Sequence, residues 1–250
     1  MQKPFDFGAT WSEAVALVTG NVQILIAVIG VFFVIPQFAM TMVMGDPLAG
    51  ASGDPNAVLD EMLTFYADNF LPILIASLIG VIGTVTVLTI YLDESRPTVG
   101  TAIAAAFGLF IPYFLTSLLM GLAIGIGFML LIVPGIYLAI KFICAAPIIV
   151  AEKERNPIAA LQRSWELTKG NSLRIFGFIV VLFVVLFVIS LIVGIVAGIF
   201  MIAGSIGASI GQLVQVLFQG VATAFSLAIS AAIYRQLSGP GAGELKDTFG

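Results

Sequence analysis

The stretch LRIFGFIVVLFVVLFVISLIVGIVAGIF, residues 173–200, decides the fold class of this chain. Its only charged residue is Arg174, and it is longer than the roughly 20 apolar residues that an α-helix needs to cross a bilayer. Membrane strands alternate polar with apolar residues, whereas this stretch is apolar on every side. It therefore predicts a transmembrane helix.

The same pattern recurs along the chain. Apolar runs at residues 22–44, 71–92 and 211–234 predict further spans, and the apolar tract 101–150 is about twice as long as one span. We divide that tract near Gly121–Gly127 into a helical hairpin, with spans at 101–122 and 126–150. The sequence thus predicts an all-α, polytopic membrane helical bundle of about six transmembrane helices. We expect a single membrane domain over residues 1–250 that ends in a tail at 238–250.

The composition supports this class of protein. Hydrophobic residues make up 60% of the 250 residues and charged residues only 10%, against about 25% charged residues in soluble domains. The chain has no His and a single Cys, which excludes an intrachain disulfide and disfavours thiolate or imidazole metal sites. We expect no metal and no cofactor.

The distribution of Lys and Arg predicts the orientation. All ten of these residues fit one side of the topology, whereas the loop 45–69 has none and carries five acidic residues. Cytoplasmic loops of membrane proteins are enriched in Lys and Arg. The loop 45–69 is therefore expected outside, and the N- and C-termini in the cytoplasm.

A first short amphipathic helix is predicted at residues 5–20, lying on the membrane surface. Thr10 and Glu13 have the spacing of a capping box, and Gly20 suits a left-handed helix end. Trp11 lies on the apolar face of this helix.

A second surface helix is predicted at residues 156–170. Asn156 is its expected N-cap, Pro157 its first residue, and Gly170 its end. Ile158, Leu161 and Trp165 form its apolar stripe. Tryptophan at the boundary and cations near anionic lipid are typical of such helices.

The two surface helices end in related sequences, LVTGN at 17–21 and LTKGN at 167–171. A weaker copy at 97–107 precedes the third span. Either the chain contains three units, each with a surface helix and a hairpin, or Gly-Asn is simply a common way to end a helix.

Lys141 is a charge within a predicted span, and such charges are usually functional because burying them is costly. It lies about 13 Å along the helix from Val150 at ~1.5 Å per residue, so its ammonium can also extend to the interface. Lys141 therefore either binds a phosphate or a partner carboxylate, or only extends to the interface.

Two kinks are expected from prolines within spans, at Pro112 in the third span and at Pro134 and Gly135 in the fourth. The carbonyl groups freed at a kink either line a cavity or merely accommodate packing. Candidate residues for binding anionic lipid headgroups share a position next to the fourth and fifth spans: Lys153, Arg155, Arg163, Trp165, Lys169 and Arg174. The cations among them are also what the positive-inside rule alone would produce.

The segments Val133-Pro-Gly-Ile136, Ala146–Glu152, Asn156-Pro157, Ala160–Trp165 and Leu167–Asn171 resemble the glycerophosphoryl diester phosphodiesterase membrane-domain family and the similar YciC-like bacterial membrane proteins. The resemblance implies a multi-pass protein of the bacterial inner membrane. It implies no phosphodiesterase activity, since in that family the catalysis belongs to a separate soluble barrel that this chain has no room for.

The sequence favours a non-enzymatic membrane protein that binds phospholipid or a partner protein at its cytoplasmic face. Intramembrane catalysis uses His, paired Asp or an activated nucleophile, and the predicted spans offer none. The alternative is a small transporter, a flippase-like protein or an accessory permease subunit with a cavity near Lys141. Besides membrane phospholipids, a protein partner or a homo-oligomer fits the pattern, and the few basic residues exclude nucleic acid.

Overall fold

The computed structural model describes residues 4–44, 55–202 and 204–239, which form helices with no strand among them. Lys3, Lys246 and nearly all of the tail predicted at 238–250 lie outside these ranges. In chain order the helices are α1 (Phe7–Thr19), α2 (Val22–Ile29), a π-helical segment (Gly30–Val34), α3 (Ile35–Met44), α4 (Pro55–Asp68), α5 (Phe70–Leu92), α6 (Val99–Leu130), α7 (Ile132–Lys141), α8 (Ala145–Ala151), α9 (Pro157–Thr168), α10 (Ser172–Met201) and α11 (Gly204–Ser238).

The described part of the chain contains six helical segments that are long and apolar enough to cross a membrane. They are Val22–Met44, Phe70–Leu92, Val99–Leu130, Ile132–Ala151, Ser172–Phe200 and Gly204–Ser238. The predicted all-α membrane bundle is confirmed. The hydropathy of each run was enough to predict these helices, because the thickness of the bilayer sets the length of a spanning helix.

The predicted division of the third and fourth spans was wrong. Helix α6 continues without a break through Gly121–Gly127 and ends at Leu130, and the turn lies at Leu131, whose φ of −162° and ψ of 155° are extended. Helices α6 and α7 approach each other closely next to this turn, since a Cβ atom built on Gly127 would lie 2.9 Å from the Cα atom of Gly135. Gly135 thus serves close packing rather than a kink.

The fourth span is interrupted, but not at Pro134. Pro134 occupies the first turn of α7, where a missing N–H group is tolerated, and the interruption follows at Phe142–Cys144 between α7 and α8. Pro112 lies inside the continuous helix α6, and the hydroxyl of Thr116 donates a hydrogen bond to its carbonyl at 2.8 Å.

The first span contains the π-helical segment Gly30–Val34, which packs against two glycines of other helices. A Cβ atom on Gly83 of α5 would lie 2.6 Å from Cβ of Phe32, and one on Gly220 of α11 would lie 3.0 Å from Cγ2 of Val34. The glycines of α5 and α11 therefore let the first span approach the centre of the bundle.

Helix α1 starts earlier than the capping box predicted. Asp6 is its N-cap and accepts a hydrogen bond from the N–H group of Ala9 at 2.9 Å. The hydroxyl of Thr10 instead donates to the carbonyl of Asp6, and Glu13 pairs with Arg235. Gly20 has a φ of −70° and so does not form the predicted left-handed end.

Helix α9 has the predicted ends. Asn156 caps it by accepting from the N–H group of Ile158 at 3.0 Å, Pro157 is its first residue, and Gly170 beyond it has a φ of +82°. The third copy of the repeat does not form a separate surface helix, because residues 99–107 are the first turns of α6. Of the three predicted copies, α1 and α9 are separate short helices placed before a span.

The buried side chains concentrate at the end of the bundle where α1 and α9 lie. This core includes Ala14, Leu88, Ile148, Ile175 and Ile233, each fully or almost fully buried. The charged residues of α1, of α9 and of the segments next to them lie at the same end of the bundle. This end is called the charged end below. In contrast, most side chains of α10 are exposed along its length, as expected for a surface in contact with lipid.

Candidate functional site

Lys141 is the last residue of α7 and is only 3% exposed. Its ammonium nitrogen lies 5.1 Å from the ring centroid of Trp165 in α9 and 5.6 Å from that of Tyr137, one turn earlier in α7. The two rings meet edge to face at 5.6 Å. These three residues define the lysine–aromatic cluster, in which the negative faces of two rings hold a cation.

Among the residues that the structure describes, no ion pair neutralises the positive charge of this cluster. Within the described ranges no carboxylate lies within salt-bridge distance of Lys141. The nearby ammonium of Lys169 adds a second positive charge that repels the first. The cluster is therefore suited to an anion that approaches past the partly exposed rings of Tyr137 and Trp165.

Helix α9 closes the interruption of the fourth span with hydroxyl groups. The hydroxyl of Ser164 donates a hydrogen bond to the carbonyl of Lys141 at 2.8 Å and accepts one from the N–H group of Cys144 at 3.2 Å. The hydroxyl of Thr168 lies 3.5 Å from the same carbonyl. Backbone groups left free by a helix break at membrane depth need such partners.

The predicted apolar stripe of α9 is not its packed face. The buried residues are Ala160, Ser164, Leu167 and Thr168, whereas Ile158 is 59% exposed. Small and hydroxyl-bearing residues thus face the protein, because they must approach the backbone of α7 and α8. Of the predicted stripe, Ile158 faces outward, as suits a helix at a bilayer surface, whereas Trp165 packs against Lys141 and Tyr137.

The structure brings two of the predicted binding residues together, Lys141 and Trp165. Arg163 forms an ion pair with Glu152, with 3.5 Å between Nε and Oε1, and Glu152 also accepts a hydrogen bond from the hydroxyl of Tyr234 at 3.1 Å. The remaining predicted cations are exposed on or next to α9: Lys153, Arg155, Lys169 and Arg174.

A polar cleft that sequence reasoning missed lies at the charged end between α1, α2 and the turn that joins α5 to α6. It has a volume of about 540 Å³. Its charged lining residues are Glu13, Asp93, Glu94, Arg96 and Arg235. They come from three distant parts of the chain, and no local motif marks them.

Arg235 closes one side of this cleft. Its guanidinium donates to Oε1 of Glu13 at 2.6 Å and to the carbonyl of Tyr91, the penultimate residue of α5. The hydroxyl of Tyr91 in turn donates to the carbonyl of Ala224 in α11 at 3.1 Å. These bonds join α1, α5 and α11, so Arg235 has a structural role at the edge of the cleft.

Asp93 shapes the α5–α6 turn, which lines the cleft. Its carboxylate accepts a hydrogen bond from the N–H group of Ser95 at 2.9 Å, and the hydrogen bonds from the side chain and backbone of Ser95 hold the pKa of Asp93 below its usual range. Arg96 follows with a φ of 51°, a left-handed conformation that is unusual for a residue before proline.

A second cavity of about 340 Å³ lies toward the other end of the bundle, between α3 and α5. Its lining is apolar: Pro36, Met40, Leu71, Pro72, Ile75, Ala76 and Ile79. Neither this cavity nor the polar cleft is lined by Lys141. Among the residues that the structure describes, no group of three or more Asp, Glu or Cys side chains could hold a metal ion.

Six long apolar helices and a charged end with short surface helices define a multi-pass helical membrane protein. The model of the family described as "Uncharacterised protein family (UPF0259)" matches residues 57–228, well over half of the chain. The chain belongs to that family. Searches of curated proteins and of solved structures found no match to it.

Proposed function

We propose that this protein is a non-enzymatic membrane protein that binds anionic phospholipid headgroups at the charged end of its bundle, in the lysine–aromatic cluster. The observation that carries the proposal is the buried ammonium of Lys141, held by two rings with no ion pair to a described carboxylate. A buried charge without a counterion is costly, and a phosphate oxygen would offset that cost.

The surroundings of the cluster support a lipid as the source of the anion. Trp165 and Tyr137 are 37% and 46% exposed, and aromatic residues of this kind are enriched at the level of lipid headgroups. The exposed cations Lys153, Arg155, Lys169 and Arg174 would attract anionic lipid to the same face.

The proposal includes an orientation and a location. The charged end would face the cytoplasm of a bacterium from its inner membrane, with both termini on that side. Kinship with glycerophosphoryl diester phosphodiesterase membrane domains and YciC-like proteins is part of the same proposal. This kinship is proposed on the basis of the motifs between Val133 and Asn171, which lie within the matched residues 57–228.

Two other functions are kept as alternatives. The exposed apolar stripe of α9 would also suit a protein partner or a second copy of this chain. A small transporter, a flippase-like protein or an accessory permease subunit would need a path to Lys141, which neither of the two cavities described above provides.

The test is lipid retention by the protein in nanodiscs of phosphatidylglycerol and phosphatidylcholine, measured by native mass spectrometry. We expect wild type to retain phosphatidylglycerol preferentially and Lys141→Met to lose roughly tenfold of that preference, as expected for one charge-assisted hydrogen bond. Replacing a buried charge with an apolar side chain of similar volume should preserve the fold.

Lys141→Arg is the matched control, because it keeps a cation over the rings and should retain most of the preference. Equal retention of phosphatidylglycerol by wild type and Lys141→Met would refute the proposal. A stoichiometric protein partner in the same spectra, without lipid preference, would favour the partner-protein alternative.

A further inference from the structure

The polar cleft is separate from the lysine–aromatic cluster and carries an inference of its own. Its lining includes both signs of charge, contributed by α1, the α5–α6 turn and α11. Two of these charges, Glu13 and Arg235, already neutralise each other at 2.6 Å. The charges that remain for a ligand are those of the turn: Asp93, Glu94 and Arg96.

The charges of Asp93, Glu94 and Arg96 disfavour a ligand that carries charge of one sign only. A purely anionic ligand would meet the carboxylates of Asp93 and Glu94, and a purely cationic one would meet the guanidinium of Arg96. Like charges brought together away from bulk water repel each other strongly. A ligand that carries an anionic and a cationic group a few atoms apart satisfies both signs.

Arg96 is available for the anionic group. Among the described residues its guanidinium has no ion-pair partner, and its backbone is held by the turn, with its N–H group 3.4 Å from the carbonyl of Asp93. A guanidinium donates two parallel hydrogen bonds to a phosphate, which makes it well suited to this role.

The cleft also has an apolar part. Leu17 of α1, Ile24 of α2 and Ile90 of α5 line it next to the charged residues. Its volume of about 540 Å³ lies within the usual range for small-molecule sites and exceeds what a small charged headgroup fills. The cleft is thus suited to an amphiphilic zwitterion.

We infer that the polar cleft binds a phosphate–primary-ammonium zwitterion, with the phosphate on Arg96 and the ammonium on Asp93 and Glu94. This chemistry is that of the phosphatidylethanolamine headgroup and of free phosphoethanolamine. A primary ammonium donates hydrogen bonds to the two carboxylates, whereas the quaternary ammonium of phosphatidylcholine cannot.

The experiment measures retained lipid by native mass spectrometry, using the full chain in nanodiscs of equal phosphatidylethanolamine and phosphatidylcholine. We expect phosphatidylethanolamine to be preferred and Arg96→Asn to reduce that preference roughly tenfold. Asparagine tolerates the left-handed conformation of this position, so the variant should fold.

Arg96→Lys is the matched control, because it keeps a cation at the same position of the cleft, and Lys153 shows that lysine adopts the same left-handed conformation at a φ of 51°. It should retain more of the preference than Arg96→Asn. Ala16→Trp provides a steric test, since Ala16 lines the cleft from an exposed position and the larger side chain would fill it without removing a charge. This variant should lose the preference as Arg96→Asn does.

The source of the zwitterion is found by titrating free phosphoethanolamine into the protein in phosphatidylcholine nanodiscs by calorimetry. Binding of the lipid alone would identify the membrane as the source, and binding of the free compound would identify a soluble ligand. The inference fails if phosphatidylcholine is retained as well as phosphatidylethanolamine and free phosphoethanolamine does not bind. It also fails if Arg96→Lys loses as much preference as Arg96→Asn.

Discussion

The hydroxyl of Ser164 lies 2.8 Å from the carbonyl oxygen of Lys141, to which it donates a hydrogen bond. The same hydroxyl accepts from the N–H group of Cys144 at 3.2 Å, so one side chain of α9 satisfies both sides of the interruption between α7 and α8. Helix α9 is thereby part of the fourth span's structure as well as a helix on its surface.

We expect Ser164→Ala to destabilise the protein by about 1–3 kcal/mol, because it leaves the buried N–H group of Cys144 without its partner and leaves the carbonyl of Lys141 only the more distant hydroxyl of Thr168. The measurement is thermal unfolding in detergent. Ser190→Ala is the control, since the hydroxyl of Ser190 bonds only to the carbonyl of Phe187 in its own helix, as far as the described residues show. Equal unfolding temperatures for both variants would contradict this role of Ser164.

Gly83 and Gly80 lie one turn apart in α5 and should respond in opposite ways to the same substitution. A Cβ atom on Gly83 would lie 2.6 Å from Cβ of Phe32 and 2.7 Å from Cε2 of Phe33, so Gly83→Ala must displace the π-helical segment. One on Gly80 would meet no atom of the described residues within 4 Å.

We expect Gly83→Ala to lower stability by about 1–3 kcal/mol, as overpacking usually does, and Gly80→Ala to leave it unchanged or raise it by up to about 1 kcal/mol through helix propensity. Unfolding in detergent measures both. A neutral Gly83→Ala would mean that the first span does not approach α5 this closely.

The proposed orientation predicts that a cysteine at Asn56, in α4, is labelled by a membrane-impermeant maleimide in intact cells. Cys144 is 0% exposed and should stay unlabelled, so the wild-type chain serves as the unlabelled control. Arg155→Cys, at an exposed position of the charged end, should be labelled only after lysis. Labelling of Arg155→Cys in intact cells, and of the cysteine at position 56 only after lysis, would show that the topology is the reverse of the proposed one.

The lowered pKa of Asp93 predicts a pH dependence of stability. A carboxyl group with a lowered pKa in the folded state stabilises the fold at pH values above its unfolded pKa of about 3.9. That contribution is lost as the pH falls through the lower, folded value. We expect Asp93→Asn to unfold at a lower temperature than wild type near neutral pH.

The difference between the two proteins should shrink as the pH falls from about 3.9 toward the lower pKa of the folded state, because the unfolded wild-type chain is protonated first and the folded carboxyl group is protonated only at the end of that range. Ser95→Ala should reproduce part of the effect, since it removes one of the hydrogen bonds that lower the pKa. A constant difference at every pH would assign the effect of Asp93→Asn to something other than its charge.

The spans were predictable from the sequence because membrane insertion depends on local hydropathy. The turn between α6 and α7 was not, because the tract 101–150 is apolar except for Lys141 and the predicted turn at Gly121–Gly127 lies inside a continuous helix. Next to the observed turn Gly127 packs closely on Gly135, a contact between two helices rather than a property of either one.

The contents of the candidate sites were predictable only in part. Lys141 was marked by its charge and Trp165 by its surface helix, but their contact depends on how α9 lies against α7. The same holds for α1, where Thr10 bonds to Gln236 at 3.1 Å instead of capping the helix. Contacts between residues so far apart in the chain have no local signal in the sequence.

The bond between Ser164 and Lys141 also bears on how the protein is made. The acceptor is synthesised 23 residues before its donor. Because chains emerge from the ribosome N-terminus first, the interruption of the fourth span leaves the ribosome before Ser164 does. Until α9 has followed and docked, the carbonyl of Lys141 and the N–H group of Cys144 lack the hydroxyl that serves both in the folded protein.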